Sequence, residues 1–399
     1  MANCATGVSG LDEILAGGLS PGRLFLLEGN PGTGKTTIAT QFLMAGAEAG
    51  EKGLYITLSE NDEELRDGAA SHGWAFNDNF EVFELAPPEN LLDDEQQQSL
   101  LYSSDLELGE TTRRIFDAFE RIKPSRVVLD SLSEIRLLAQ SSLRYRRQIL
   151  ALKHYFSRHD ATVLMLDDLT ADVMDKTVHS VAHAVIRLEE LSPTYGAERR
   201  RIRVLKYRGR RYRGGYHDFV IDTGGVRVFP RLVSAEHRGS FKRETVAIDN
   251  APLNTLIGGG FERGASTLVL GPAGTGKSLL VLSFIQSAIR RGESAAMFVF
   301  DEELGLLFER AKGLGIDLQE MVDTKRLVIE QIDAAELTPG EFSERVRGCV
   351  EKHGARTVVI DSLNGFQEAM PEEQALILHM HELLQYLNRQ GVMTFLTVA

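Results

Sequence analysis

The stretch Gly29-Asn30-Pro31-Gly32-Thr33-Gly34-Lys35-Thr36 fits the phosphate-binding pattern G-x-x-x-x-G-K-[ST] at every fixed position. Leu24-Phe25-Leu26-Leu27 precedes it and the run from Ile38 to Ala45 follows it, so the loop joins an expected strand to an expected helix. Its glycines allow positive φ and leave no Cβ in the way, so consecutive backbone N–H groups can converge on an anion. The helix starting near Lys35 adds the partial positive charge of its N-terminus. Lys35 is then a point charge for the β and γ phosphates, and the Thr36 hydroxyl a ligand for Mg2+.

A second complete loop, Gly271-Pro272-Ala273-Gly274-Thr275-Gly276-Lys277-Ser278, lies at an offset of 242 (271 − 29). At the same offset Leu11 meets Leu253, Gly17-Gly18 meets Gly259-Gly260, Gly22 meets Gly264 and Gly50 meets Gly292. A constant offset over that length indicates tandem homologous domains. The apolar runs Arg126 to Asp130 and Thr357 to Asp361 each close on an aspartate followed by serine, at an offset of 231 (361 − 130). The first copy therefore carries eleven extra residues (242 − 231), expected as a surface loop in the acidic, glutamine-rich stretch from Asn90 to Leu108.

Strand-like runs at 24–28, 54–58, 126–130 and 162–166 alternate with helix-like segments at 36–49, 111–122 and 144–158. This pattern predicts an α/β fold of β-α-β units around mainly parallel central sheets. The polar segment 233–246 reads as a linker between a first domain, 1–232, and a second, 247–399. Aligning Leu164-Met165-Leu166 with Thr394-Phe395-Leu396 leaves the first domain running on for roughly 65 residues (233 − 168), so the second is expected to be C-terminally incomplete.

A chain of 399 residues with 43% hydrophobic and 25% charged residues is that of a soluble globular protein with more than one core. Its 44 Lys+Arg against 57 Asp+Glu give a net charge of −13, which argues against a broad nucleic-acid or anionic-membrane footprint. Cys4 and Cys349 form no metal-binding spacing, Asp12 and Glu13 stand where a signal peptide needs apolar residues, and no long apolar run occurs. A reducing cytoplasm, with no membrane contact, is the expected setting.

Asp130 and Asp361 close their strands where ligands of open α/β sheets gather, so each is expected to hold Mg2+ through water, with Thr36 and Ser278 as direct ligands. Hydrolysis needs a carboxylate to orient or deprotonate the attacking water. After the next strand come Ser59-Glu60 in the first copy and Asp301-Glu302 in the second, making Glu60 and Glu302 the general-base candidates, with Asp301 sharing the role. The competing reading takes these acids as the opening of a solvated helix. The basic run Arg199 to Arg213 leaves three readings open: contacts to nucleic-acid phosphate, an edge hairpin presenting arginines, or phosphate-sensing groups supplied to a neighbouring subunit. His179 and His183 have the i, i+4 spacing of metal ligands but no third ligand nearby, and read as a solvated helix face.

Two loop-bearing copies, each opening with a segment such as Leu11 to Leu19 or Leu253 to Phe261, together with Glu198-Arg199-Arg200-Arg201 and then Val204-Leu205-Lys206-Tyr207-Arg208-Gly209, resemble the KaiC family over essentially the whole chain. The resemblance implies two tandem RecA-like P-loop ATPase domains. It implies ATP with Mg2+ on Gly32, Thr33, Gly34, Lys35, Thr36 and Thr37, and on Gly274, Thr275, Gly276, Lys277, Ser278 and Leu279. It further implies slow hydrolysis in ATP-dependent hexameric double rings, with nucleotide between subunits and Lys206 and Arg208 reaching the γ-phosphate of a neighbour's ATP. Regulatory protein partners follow from the same likeness, and so does self-phosphorylation in clock members. The family's acidic pair is Asp301-Glu302 in the second copy but Ser59-Glu60 in the first, so weaker hydrolysis is expected in the first ring. The second domain is expected to end before the segment that would hold its own Lys-x-Arg and the self-phosphorylated Ser/Thr positions, so these 399 residues alone do not support autokinase or clock function. The rival readings are a recombinase- or helicase-like ATPase on single-stranded DNA, and a signalling scaffold held together by ATP.

Overall fold

The structure, a computed structural model, describes residues 3–85, 100–169, 177–193, 196–237, 239–368 and 373–398. The chain forms two compact units: Met1–Leu191 with Glu198–Arg231, and Ser192–Ala197 with Leu232–Ala399.

The first unit holds strands β1 (Leu24–Gly29), β2 (Gly53–Thr57), β3 (Phe80–Glu84), β4 (Arg126–Asp130), β5 (Thr162–Asp168), β6 (Ala184–Leu191), β7 (Arg199–Tyr207), β8 (His217–Asp222) and β9 (Gly225–Phe229). They form one sheet in the order β3-β2-β4-β5-β1-β6-β7-β8-β9. Pairing is parallel from β3 across to β6 and antiparallel from β6 to β9. The run in β1 is buried along its whole length, as a central parallel strand requires. Alternation sends Phe25 and Leu27 into one core, with Ile38, Ala39, Phe42 and Leu43 of the helix Lys35–Glu48. Leu24 and Leu26 enter the other, with Ile115 and Phe119 of the helix Leu100–Ile122 and Ile149, Leu152 and Phe156 of the helix Ser142–Arg158.

The basic run does not form an edge hairpin, because β7 lies between β6 and β8. Pairing sets Arg200 opposite Glu190 and Arg201 opposite Glu189. Arg200 meets Glu190 at 3.1 Å, and Arg201 and Arg203 reach Glu189 at 3.6 and 3.5 Å. Arg201 and Arg203 also lie over the Tyr216 ring, at 4.3 and 4.8 Å from its centroid.

The second unit holds β10 (Thr245–Val246) paired with β11 (Phe261–Glu262), and β12 (Ser266–Leu270), β13 (Ser294–Val299), β14 (Leu327–Gln331), β15 (Ala355–Asp361) and β16 (Met393–Val398). The last five form a parallel sheet in the order β12-β16-β15-β13-β14, which repeats β1-β5-β4-β2-β3. Residues of the segment 233–246 pack on this unit: the Ser234 N–H donates to the Glu382 carboxylate at 2.8 Å, and Arg389 donates to the Ser234 carbonyl at 2.9 Å.

Strand register corrects the alignment of the two copies. Leu24 pairs with Val163 and Ser266 with Thr394, so Val163, not Leu164, is the counterpart of Thr394, and the offset of 231 holds (394 − 163). At β3 the offset is 247 (327 − 80), because Gly53 pairs with Phe80 and Ala295 with Leu327. The eleven extra residues are thus a net difference: sixteen more in the first copy between β3 and β4 (247 − 231), and five more in the second between β2 and β3 (247 − 242). Of the expected loop, residues 90–99 lie outside the described residues. From Leu100 onward the chain is helical instead, within a 23-residue helix whose counterpart Pro339–Glu351 has 13 residues.

His217, in β8, is buried, with Nε2 3.0 Å from the Arg213 carbonyl and Nδ1 accepting the Arg231 N–H at 2.8 Å. Burial, ahead of the nearby arginines, lowers its pKa to about 4 from the ordinary 6.5. The unfolded chain therefore takes up a proton that the native state refuses. The resulting stability is present above about pH 6.5 and is lost as pH falls toward 4, amounting to roughly 3 kcal/mol. Unfolding measured across that range should show a shallower acid-side loss in H217Q than in the unmodified protein, and equal slopes would refute the assignment.

Candidate nucleotide site

In the first unit the loop after β1 is closed by the Thr33 hydroxyl, which donates to the Asn30 carbonyl at 2.7 Å. Gly34, at φ 93, begins the helix Lys35–Glu48 in a left-handed conformation, and a Cβ there would lie 2.6 Å from Ile221 Cδ1. A Cβ on Gly29 would fall 2.6 Å from Thr33 Oγ1. Gln41 ties the same helix to β9: its amide nitrogen donates to the Val226 carbonyl at 3.2 Å and its oxygen accepts the Val226 N–H at 2.8 Å. Lys35 is buried, and Nζ donates to the carbonyls of Gly29 and Asn30, each at 2.9 Å, and pairs with Asp168 Oδ1 at 2.7 Å.

Asp130, at the end of β4, is buried and accepts the Tyr55 hydroxyl at 2.6 Å, with Thr36 nearby. Burial pushes its carboxyl up and nearby Asp168 adds to this, while the Tyr55 hydrogen bond, Lys35 and Thr36 oppose it. A desolvated carboxylate beside a hydroxyl and a second carboxylate is an oxygen-rich set of the kind Mg2+ selects. A cleft of about 420 Å³ brings Thr36, Thr37, Ser59 and Glu60 together with His72 and Trp74. The turn that presents Glu60 is held by Thr57, whose hydroxyl donates to the Glu60 carbonyl at 2.7 Å and accepts its N–H at 3.0 Å. Desolvation, then Asp130 and Glu64, raises the Glu60 pKa. The acids that follow serve the helix Asp62–Ser71: Asn61 and Glu64 form a capping box, and Asp62 pairs with Arg66 at 2.8 Å. The solvated-helix reading thus accounts for Asp62 and Glu64, whereas Glu60 faces the cleft.

Behind the loop, Glu28 is buried between Arg187, at 2.6 Å, and His179 Nε2, also at 2.6 Å. The histidine pair is therefore not a solvated helix face. The helix Thr177–Val181 ends before His183, whose ring packs edge-on against Phe25 and Tyr207.

Lys206 and Arg208 stand away from their own loop. Lys206 pairs with Val185, which pairs with Leu26, and the Arg208 N–H donates to the His183 carbonyl at 2.9 Å. Since the loop leaves β1 after Gly29, they lie about 10 and 16 Å back along the strand. Lys206 Nζ donates to the His179 carbonyl, Arg208 to the Ser180 carbonyl, and Lys153 Nζ to the Val181 carbonyl at 3.0 Å. Between them Tyr207 is buried, donating to the Gly18 carbonyl at 3.1 Å and accepting the Ser20 N–H at 2.9 Å. Burial, with Arg208, lowers the pKa of both Lys206 and Lys153, and burial with Arg23, Arg208, Lys153 and Arg210 lowers that of His183.

The second loop repeats the first with fewer contacts. Lys277 Nζ donates to the carbonyls of Gly271 and Pro272, at 2.6 and 2.9 Å. Met297 replaces Tyr55, and Asp361 accepts the Thr397 hydroxyl instead. Asp301 Oδ2 accepts the Ser362 hydroxyl at 2.5 Å, and Glu302 pairs with Arg310 at 2.7 Å. Ser278 and Leu279 open the helix Lys277–Arg290, as Thr36 and Thr37 do in the first copy.

Two phosphate loops, each between a parallel strand and a helix and each facing a strand-end aspartate, define a tandem P-loop protein of the nucleoside-triphosphate-binding class. A family profile described as "ATPase: KaiC" matches residues 4–233 and 251–399. The chain belongs to this KaiC ATPase family, and its two domains have the RecA-like fold. It is 28% identical to the circadian clock protein KaiC2 of Synechocystis, over 100% of this chain and 70% of that protein. It is 30% identical to KaiC3 of the same organism, over 81% of this chain and 64% of that one. To the circadian clock oscillator protein KaiC of Prochlorococcus marinus it is 31% identical, over 79% and 63%. The chain thus spans less than two thirds of the latter two relatives.

Sequence reasoning did not single out Asp168, Tyr55, Lys153 or the Glu28–Arg187 pair. Asp168 follows an apolar run as Asp130 does, and that signal was available; the others become visible only through cross-strand pairing. Replacing Arg187 by methionine should destabilise the first unit by about 3 kcal/mol, because it strips Glu28 of its strongest partner in a buried site. Adding Glu28→Gln should recover most of the loss in denaturant unfolding. A double variant as unstable as the single one would show that Arg187 acts through packing instead.

Proposed function

We propose that the protein binds and slowly hydrolyses ATP at sites shared between copies of the chain, in a ring of KaiC type, most simply a hexamer. The observation that carries this reading is the group Arg23, Lys153, Lys206, Arg208 and Arg210. These cations form no ion pair among the described residues, in a chain of net charge −13, and Lys206 and Arg208 are set back along the sheet from their own loop. Such a group suits a polyanion brought by another molecule. Lys35 and the amides of Gly32 to Thr37 would bind the triphosphate, Glu60 would orient the water, and Lys206 and Arg208 of the adjacent copy would meet the γ-phosphate. Thr36 and Asp130 would hold Mg2+, which would neutralise phosphate charge. Gly274 to Leu279, Ser278 and Asp361 are assigned the same duties in the second domain, with Asp301 and Glu302 as its acids.

A domain division of 1–232 and 247–399 around 233–246, cytoplasmic location, regulatory protein partners and a signalling or clock-related role complete the proposal. The relatives' names support the clock-related role, and among the described residues no helix is long and apolar enough to cross a membrane. Arg200, Arg201 and Arg203 are engaged by Glu189 and Glu190, which argues against the single-stranded DNA alternative.

A mixing experiment tests the shared site. In a Lys277→Ala background, Lys35→Ala and Lys206→Ala proteins should each lose ATPase, and co-assembled rings should recover part of it. Absence of recovery in assemblies shown by mass to be mixed would rule out the arrangement.

A further inference from the structure

Resting on that reading of the first loop as an ATP site, we infer that Asp168 makes nucleotide binding there conditional on the divalent cation, a constraint the second loop lacks. Pairing of Gly29 with Asp168 ends β1 and β5 at the same level, so this carboxylate stands beside the phosphate loop. The two adjacent aspartates point to opposite faces of the strand. Asp167 is held by Arg136 at 2.6 Å, whereas Asp168 meets Lys35 Nζ at 2.7 Å.

The Lys35 ammonium has three protons and three acceptors: the Gly29 carbonyl, the Asn30 carbonyl and Asp168. The one cation the loop offers a phosphate is therefore fully engaged within the chain. An incoming triphosphate must take a share of that ammonium, and as it does so Asp168 is left as an anion facing anions, close enough to Asp130 to raise its pKa. A divalent cation held by Thr36 and Asp130 compensates both carboxylates; metal-free nucleotide meets them uncompensated. Asp168 is thus a positioning residue that holds Lys35 in the empty loop and opposes nucleotide arriving without its metal.

The second copy supplies the control. At the sequence offset of 231 the counterpart of Asp168 is Ala399 (168 + 231), whose side chain carries no carboxylate, and Lys277 donates to the Gly271 and Pro272 carbonyls. The two copies share a motif, and their sequences differ in this side-chain carboxylate.

The test measures fluorescent ADP binding to the full chain with excess Mg2+ and with chelator, using Lys277→Ala to isolate the first site and Lys35→Ala to isolate the second. Asp168→Asn should tighten metal-free binding at the first site about tenfold and change Mg2+-supported binding much less, so the ratio of the two affinities shrinks. Asp168→Ser should do the same, which separates the effect from misfolding of one variant. At the second site, Asp168→Asn should leave both affinities unchanged. An unaltered affinity ratio in both folded variants, or equal weakening in both conditions, would overturn the inference. Failure of Lys35→Ala to remove any nucleotide binding would instead overturn the ATP-site reading beneath it.

Discussion

The parallel pairing of β1 with β5 is the constraint on which the first site depends. It brings Gly29 and Asp168 to one level, and the β4 neighbour brings Asp130 beside them. Parallel strands in one sheet end at the same side, so each crossover returns the chain with a new carboxyl end facing the same cleft. The charges gathered there are tolerated because each is bound: Lys35 by two carbonyls and a carboxylate, Asp130 by Tyr55, and Glu28 by Arg187 and His179. Removing any one partner would leave a desolvated charge, which costs more than the pair contributes.

The antiparallel strands β6 to β9 do two things for this frame. They complete the side of β1 that β5 does not cover, placing Ile221 and Val226 against the loop helix. They also carry Lys206 and Arg208 to the far end of the sheet. In the second unit β12 stands at the edge of its sheet among the described residues, and Leu268 and Leu270 are exposed there at 54% and 71%. A Cβ on Gly276 meets nothing within 4 Å, whereas one on Gly34 meets Ile221. The two loops therefore share a backbone and differ in what surrounds it.

Much of this was legible in the chain. Local chemistry fixes the phosphate loops, the strand-end aspartates and the tandem repeat, because each depends on residues close in sequence or on a constant offset. Long-range pairing escaped that reading. The shift by one at Val163 and Thr394 and the split of the insertion into sixteen and five residues needed strand register. The arginine run stayed open to three readings because Glu189 and Glu190, its cross-strand partners, precede it in sequence without announcing the pairing. His179 and His183 share helical spacing, yet the helix stops between them, and Glu28, 151 residues away, claims the first.

Tyr207 gives the Lys-x-Arg element a property its charges alone would not. Its ring is packed against Phe25 and His183 and its hydroxyl is bound to Gly18 and Ser20, while the flanking cations rest on the carbonyls of His179 and Ser180. Long basic side chains ordinarily lose about 1.5–2 kcal/mol each of rotamer freedom when a ligand fixes them. Here much of that ordering is incurred during folding. An anion reaching this surface meets cations already held in place, so its affinity reflects charge and geometry with little entropic discount.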